Sequence, residues 1–246
     1  MSAMPANFVK DFVPVGTGIR GPKKYSNLTV HGVCWHWTAN TSKGANARAH
    51  RKYWERATEG AHYAVDDKMI IHTAPDNEVV WHAGPSSNYT SYIKNKYPTG
   101  ANLRLLGVEL CVNSDGEWDA TYNNAVALGA YLCIRHNLSP FKNFERHYDC
   151  TRKDCPRMMT PYVTGGEAAW EKFKNDVQRR VDMMSNEPFA DVKGHWAEKQ
   201  IMALIKVGIV SGKDDKQFHP NDPLTRAEMA AIICNTLSYI STMVKL

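Results

Sequence analysis

The chain has 246 residues, 43% of them hydrophobic and 22% charged. This is ordinary globular usage, which excludes a disordered or fibrous chain, and the length fits one large domain or one domain with a small appendage. The net charge is +5, and residues 186–246 hold seven Lys/Arg against seven Asp/Glu, so the whole surplus lies before them. Such a modest basic surface could favour an anionic partner such as nucleic acid or a wall polymer, but with no recognised motif the excess is too small to argue for a nucleic-acid binder. No apolar run approaches the roughly 20 residues of a membrane helix, and residues 1–7 lack the basic-then-apolar pattern of a secretory signal.

In chain order, Val30 to Trp37 is rich in β-branched and aromatic residues and predicts a strand. Ala45 to Ala57 has no breaker and predicts a helix. Ala61–Asp66 and Met69–His72 predict a hairpin turning at Asp66-Asp67-Lys68, and Leu105–Val112 a further strand. Thr121–His136 repeats Ala125, Leu128, Leu132 and Cys133 at helical spacing. Trp170, Phe173, Val177, Val181 and Met184 form one stripe of a last helix. The expected class is α/β, a central mixed sheet flanked by helices over residues 1–184. Ser185–Pro188 is a polar stretch ending in proline and reads as a linker. Beyond it, residues 185–246 predict a small all-α module of two helices, His195–Val207 and Leu224–Leu237. Residues 1–27 are expected to form an arm beside the functional groove.

Six cysteines stand at 34, 111, 133, 150, 155 and 234. Their spacing is not that of a disulfide framework, which leaves metal binding as the question. A catalytic zinc takes three ligands from His, Cys or carboxylate. His36 ends the first strand, sharing a face with Cys34, and His147 and Cys155 stand together in Arg146–Pro156. Arg152 and Lys153 would favour the Cys155 thiolate. On spacing alone, Cys34 and Cys150 are rival ligands, and a strand histidine or lone cysteine is more often a core residue. Glu109 is a single carboxylate in the apolar run Leu105–Val112; it is either paired in a salt bridge or a general base beside activated water.

Trp35-His36-Trp37-Thr38-Ala39-Asn40, Ala61-His62-Tyr63, Trp81-His82-Ala83-Gly84, Gly107-Val108-Glu109-Leu110 and the run from His147-Tyr148-Asp149 to Lys153-Asp154-Cys155-Pro156 occur in one order. Together they resemble the zinc N-acetylmuramoyl-L-alanine amidases, which share a fold with peptidoglycan recognition proteins and include many phage endolysins. The resemblance covers about residues 8–180. It implies one Zn2+ per chain held by His36, His147 and Cys155, with Glu109 as catalytic acid and Lys153 stabilising an oxyanion. It also implies that His62 and His82 line a groove for peptidoglycan. Some relatives carry a tyrosine where this chain has Ala61, so Glu109 takes the acid–base role, and Cys150 becomes a spectator.

Phe189–Ala197, Gly208-Ile209-Val210-Ser211-Gly212, Phe218-His219-Pro220 and Leu224–Met229 resemble one surface-layer homology motif. That family binds secondary cell-wall polysaccharide, which implies contacts from Asp191, Trp196 and Arg226; a guanidinium fork suits a carboxylate. The loop Lys213–Gln217 lacks glycines usual there, and the motif stands alone where the family commonly has three. About 55 residues make a marginal core, so the module is expected to self-associate into a homo-oligomer or to pack on the catalytic domain. The resulting expectation is a peptidoglycan hydrolase of phage or prophage type, made in the host cytoplasm and acting at the cell wall. A bacterial autolysin and a non-catalytic recognition protein are the alternatives.

Overall fold

The structure is a computed structural model that describes residues 4–5, 7–21, 28–184, 189–213 and 217–243. It divides into two compact units, residues 3–178 and 179–246. The division falls a few residues before the expected boundary, because Met183 belongs with the hydrophobic cluster of the second unit. The linker expected at Ser185–Pro188 lies outside the described residues.

The first unit is built on a six-stranded sheet in the order β1-β4-β3-β5-β2-β6. The strands are β1 (Phe8–Lys10), β2 (Gly32–Trp37), β3 (Tyr63–Val65), β4 (Ile70–His72), β5 (Leu105–Leu110) and β6 (Phe144–Arg146). Only the β3–β4 hairpin is antiparallel. Its turn is closed where Asp66 Oδ1 accepts from the backbone N–H of Lys68 and Met69, both at 2.8 Å. The helices are α1 (Ala47–Tyr53), α2 (Ser91–Lys96), α3 (Trp118–His136), α4 (Pro140–Asn143), α5 (His147–Thr151) and α6 (Gly166–Met184).

Side chains alternate across β2, so Trp35 turns to the face opposite Cys34 and His36. There it meets Phe173 of α6 edge-on at 4.7 Å and Phe144 at 5.2 Å. Gly129 lets α3 and α6 close up, since a Cβ there would stand 2.9 Å from Val177 Cγ2. The other face carries Ala47 and Trp54 of the α1 region over Ala64 and Ile71, and a second cluster in which Ile93, Tyr97 and Cys150 surround Cys34 and Leu105.

The predicted elements shift at their ends. The first helix is shorter than expected and starts at Ala47, because Asn46 caps it by accepting from Ala49 N at 3.1 Å. α3 begins three residues early, at Trp118. The short elements β1, α2, β6 and α5 carry too few residues for periodicity to reveal. Of the expected arm, residues 7–21 are described: Phe8–Lys10 add an edge strand to β4, and Ile19 N donates to Trp54 O at 3.1 Å.

In the second unit, α7 (Glu198–Lys206) and α8 (Arg226–Met243) are the described helices. A small core joins Val192, Ile201 and Ile205, with Phe189 and Phe218 against it. α8 opens with a reciprocal cap: Thr225 N donates to Glu228 Oε2 at 2.8 Å, and Glu228 N donates to Thr225 Oγ1 at 3.1 Å. Among the described residues no helix is long and apolar enough to cross a membrane.

Candidate metal site

β2 and β5 run parallel, with His36 directly opposite Glu109, and β6 pairs parallel with the other edge of β2. Both residues therefore lie on one sheet face near the carboxyl ends of their strands, and β6 passes straight into α5 at His147. The carboxyl ends of parallel strands are where open α/β sheets gather their ligands.

His36 Nδ1 lies 3.0 Å from His147 Nδ1 and 3.7 Å from Cys155 Sγ. The three donors lie within 4.8 Å of one another, and all three residues are buried. Zinc bonds of about 2.0 Å to nitrogen and 2.3 Å to sulfur, set tetrahedrally, would separate such donors by roughly 3.3–3.5 Å. Two imidazoles and a thiol at this spacing fit a borderline-soft dication of zinc size.

Polar contacts hold the ligand-bearing segments. The Arg146 guanidinium binds both carboxylate oxygens of Asp149 at 2.9–3.0 Å and Glu167 Oε1 at 2.9 Å, which fixes the start of α5. Tyr148 N donates to Cys155 O at 2.8 Å and joins the two halves of the motif. Glu167 was not picked out from sequence, where an acid 21 residues from its arginine carries no signal.

Burial sets the protonation states. It lowers His36 well below the usual histidine value, aided by the charges of His147, His82 and Lys153. It brings His147 and His82 down to about 3. Neutral imidazoles keep the lone pairs that ligation needs. Burial pushes the Cys155 thiol up, against the weaker pull of Lys153. This corrects the expectation that neighbouring cations make the thiolate: desolvation outweighs them, and a cation would have to displace the proton. Glu109 is raised to about 8, by burial against the pull of Lys153. Its Oε2 is buried without a hydrogen-bond partner among the described residues, so the salt-bridged surface carboxylate of the sequence alternative is not what the fold makes.

A cavity of ≈ 840 Å³ opens over this group, lined by His36, His82, Glu109, His147, Lys153 and Cys155 among others. Among the described residues, Thr38 Oγ1 and His50 Nε2 are buried without hydrogen-bond partners, and both residues line the same cavity, a role their sequence positions did not signal. His62 corrects the expectation for the groove. It is fully buried, does not line the cavity, and binds backbone on both sides of its ring: Gly107 N donates to Nδ1 at 3.0 Å, and Nε2 meets Glu78 O at 2.8 Å. Cys34, with His36 and His82, forms a second close donor set. Cys34, however, is buried beside Cys150 at 3.8 Å between sulfurs, away from the cavity lining.

In the second unit, Asp191 spends its carboxylate on the backbone, accepting from Phe218 N at 3.1 Å and His219 N at 2.6 Å. Trp196 is 85% exposed, and Arg226 is the first residue of α8. A cavity of ≈ 600 Å³ in this unit is lined by other residues, Lys213, His219 and Asp222 among them. The structure therefore does not bring the expected trio together in a cavity, because Asp191 closes a loop instead.

The family description N-acetylmuramoyl-L-alanine amidase matches residues 26–158, more than half of the chain, including every residue of the buried donor group. The chain belongs to this amidase family. Its later part, residues 188–230, matches the S-layer homology domain. Among curated relatives, N-acetylmuramoyl-L-alanine amidase CwlL of Bacillus licheniformis is 39% identical over 165 residues, 63% of this chain and 42% of that one. N-acetylmuramoyl-L-alanine amidase CwlH of Bacillus subtilis (strain 168) is 31% identical over 170 residues, 68% of this chain and 60% of that one. The chain thus spans about half the length of such relatives. Among solved structures, the catalytic domain of XlyA aligns with a TM-score of 0.57 at 31% identity, covering 70% of this chain and 99% of that one. A mutant endolysin from Bacillus subtilis gives the same score and identity, covering 70% and 98%.

Proposed function

We propose that this family member hydrolyses the amide between N-acetylmuramic acid and L-alanine in peptidoglycan, with one Zn2+ held by His36, His147 and Cys155. The observation that carries the reading is the meeting of those three donors in one cavity with the Glu109 carboxylate, whose Oε2 has no hydrogen-bond partner among the described residues. When bound, zinc acidifies a water and polarises the scissile carbonyl. Glu109 Oε2 accepts the proton of the attacking water, whose oxygen bonds to the lactyl carbonyl carbon. Lys153, at the cavity wall, offers positive charge to the developing oxyanion. Glu109 then delivers its proton to the nitrogen of L-alanine as the C–N bond breaks. A raised carboxyl suits both halves of this exchange, and the charges of Lys153 and of a dication both act to ionise it.

The first unit is the catalytic domain on this reading, and the second anchors the enzyme to wall polysaccharide. Phage-endolysin use at a bacterial wall is supported by the likeness to the B. subtilis endolysin. Self-association through the second unit is supported by Met229, Ile233, Leu237 and Ile240, each about half exposed and spaced along α8 as one stripe. Digestion of purified walls followed by mass analysis tests the activity. The expected products are intact glycan strands and peptides with new L-alanine amino termini, abolished by a chelator and restored by zinc. Wall clearing without new alanine termini would overturn the bond assignment, and chelator-insensitive binding without cleavage would make the chain a recognition protein.

A further inference from the structure

His36 has two ring nitrogens, and different groups meet them. Nδ1 faces His147 and Cys155, while Nε2 lies 3.1 Å from His82 Nδ1. The far nitrogen of His82, Nε2, lies 3.0 Å from the carbonyl oxygen of Leu105. A carbonyl only accepts, so His82 Nε2 carries a hydrogen. A neutral His82 then has a bare Nδ1, which accepts from His36 Nε2–H, and the lone pair of His36 is left on Nδ1. We infer that His82 is a positioning residue: it relays the Leu105 carbonyl to His36, locks His36 in its Nε2–H tautomer, and aims its Nδ1 lone pair at the metal position. This rests on the zinc reading above and extends it to a residue outside the donor set.

The fold makes room for the relay. A Cβ on Gly107 would stand 2.7 Å from His82 Cγ and 2.8 Å from Cδ2, so β5 accepts the imidazole only with glycine at that place. The loop carrying His82 is clamped by buried Asn102, whose Oδ1 accepts from the backbone N–H of His82 at 2.9 Å and of Ala83 at 2.8 Å. Asn102 Nδ2 in turn donates to Gly84 O at 2.9 Å. Ligating histidines elsewhere use a carboxylate, carbonyl or water for this duty, and removal of such partners typically costs about 10–100-fold in metal affinity. Here a second histidine is interposed.

Three full-length variants test the inference, with zinc affinity measured by competition against a chromogenic chelator and histidine tautomers by long-range 15N–1H correlation. His82→Phe removes the acceptor. Gly107→Ala keeps the imidazole but displaces it. His82→Gln offers an amide oxygen to His36 and an amide N–H to Leu105. Wild type is expected to show His36 as the Nε2–H tautomer even without metal. His82→Phe and Gly107→Ala are expected to lose that signature and about 10–100-fold in zinc affinity, and His82→Gln to recover most of both. Thermal unfolding identifies any variant that fails to fold, and the remaining two then decide. Wild-type tautomer and affinity within twofold in the folded His82→Phe or Gly107→Ala chain would overturn the relay. Zinc held equally well by Cys155→Ser would instead overturn the metal site, while the metal-free tautomer still reports on His82.

Discussion

The two units use their side chains in opposite ways. In residues 3–178 a wide sheet is covered on both faces, and enough apolar bulk is buried to hold polar groups away from water: His36, His62, His82, His147 and the Glu109 Oε2 all lie inside. In residues 179–246 the core is Val192, Ile201, Ile205 and a few partners, and the long helix α8 leaves much of its apolar stripe in solvent. Desolvation is what shifts protonation states and lets donor groups converge, and it needs surrounding mass. The large unit can therefore host chemistry, while the small one offers surface.

The largest effect that would sharpen this contrast comes from the donor set. Cys155→Ala or His36→Ala is expected to lower bound zinc from one per chain to a small fraction, read by metal analysis, and to abolish wall hydrolysis. Glu109→Gln follows: zinc content stays at wild type while the release of alanine termini falls by about 10²–10⁴-fold. Normal turnover in that variant would show that the buried carboxylate is incidental.

Packing separates the units next. Phe173→Ala, which empties the space under Trp35, is expected to cost about 3–5 kcal/mol and to lower only the calorimetric transition of the first unit. Ile205→Ala, costing about 2–5 kcal/mol, should act only on the second. A shared shift would erase the distinction between them.

A buried ion cluster gives the first unit a pH signature. Burial works to raise the Asp76 carboxyl, but hydrogen bonds from His136 and Tyr63 and the His72 imidazole 3.0 Å away outweigh it and hold it far below the carboxylate range. Its native-state value thus lies below its unfolded one, and its contribution is complete above about pH 4 and shrinks as the pH falls further. Asp76→Asn is expected to lower stability at neutral pH and to flatten the acid loss, as followed by unfolding midpoints between pH 2 and 7. An unchanged acid slope would remove Asp76 from the account. The smallest effect is expected on the surface of α8: Leu237→Glu should leave both unfolding transitions within about 0.5 kcal/mol while reducing self-association in sedimentation.

Much of this protein was legible in residue order. The β-branched and aromatic run Val30–Trp37, the hairpin around Asp66 and the stripe Trp170–Phe173–Val177 each follow from local composition or spacing, and the structure reproduces them with shifted ends. The motif run also pointed to His36, His147, Cys155 and Glu109 as a set. Chain order alone was silent wherever the deciding neighbour is distant in sequence. His62 and His82 look alike as motif histidines expected in the groove, yet pairing of β3 with β5 seals the first against backbone and leaves the second on His36. Asp191 reads as a sugar ligand until the loop at Phe218 folds onto it. Cys155 reads as a thiolate beside two cations until desolvation is included. Periodicity is a property of nearby residues and survives in the string, whereas burial and hydrogen-bond partnership arise from elements a hundred residues apart and exist only once the sheet has assembled.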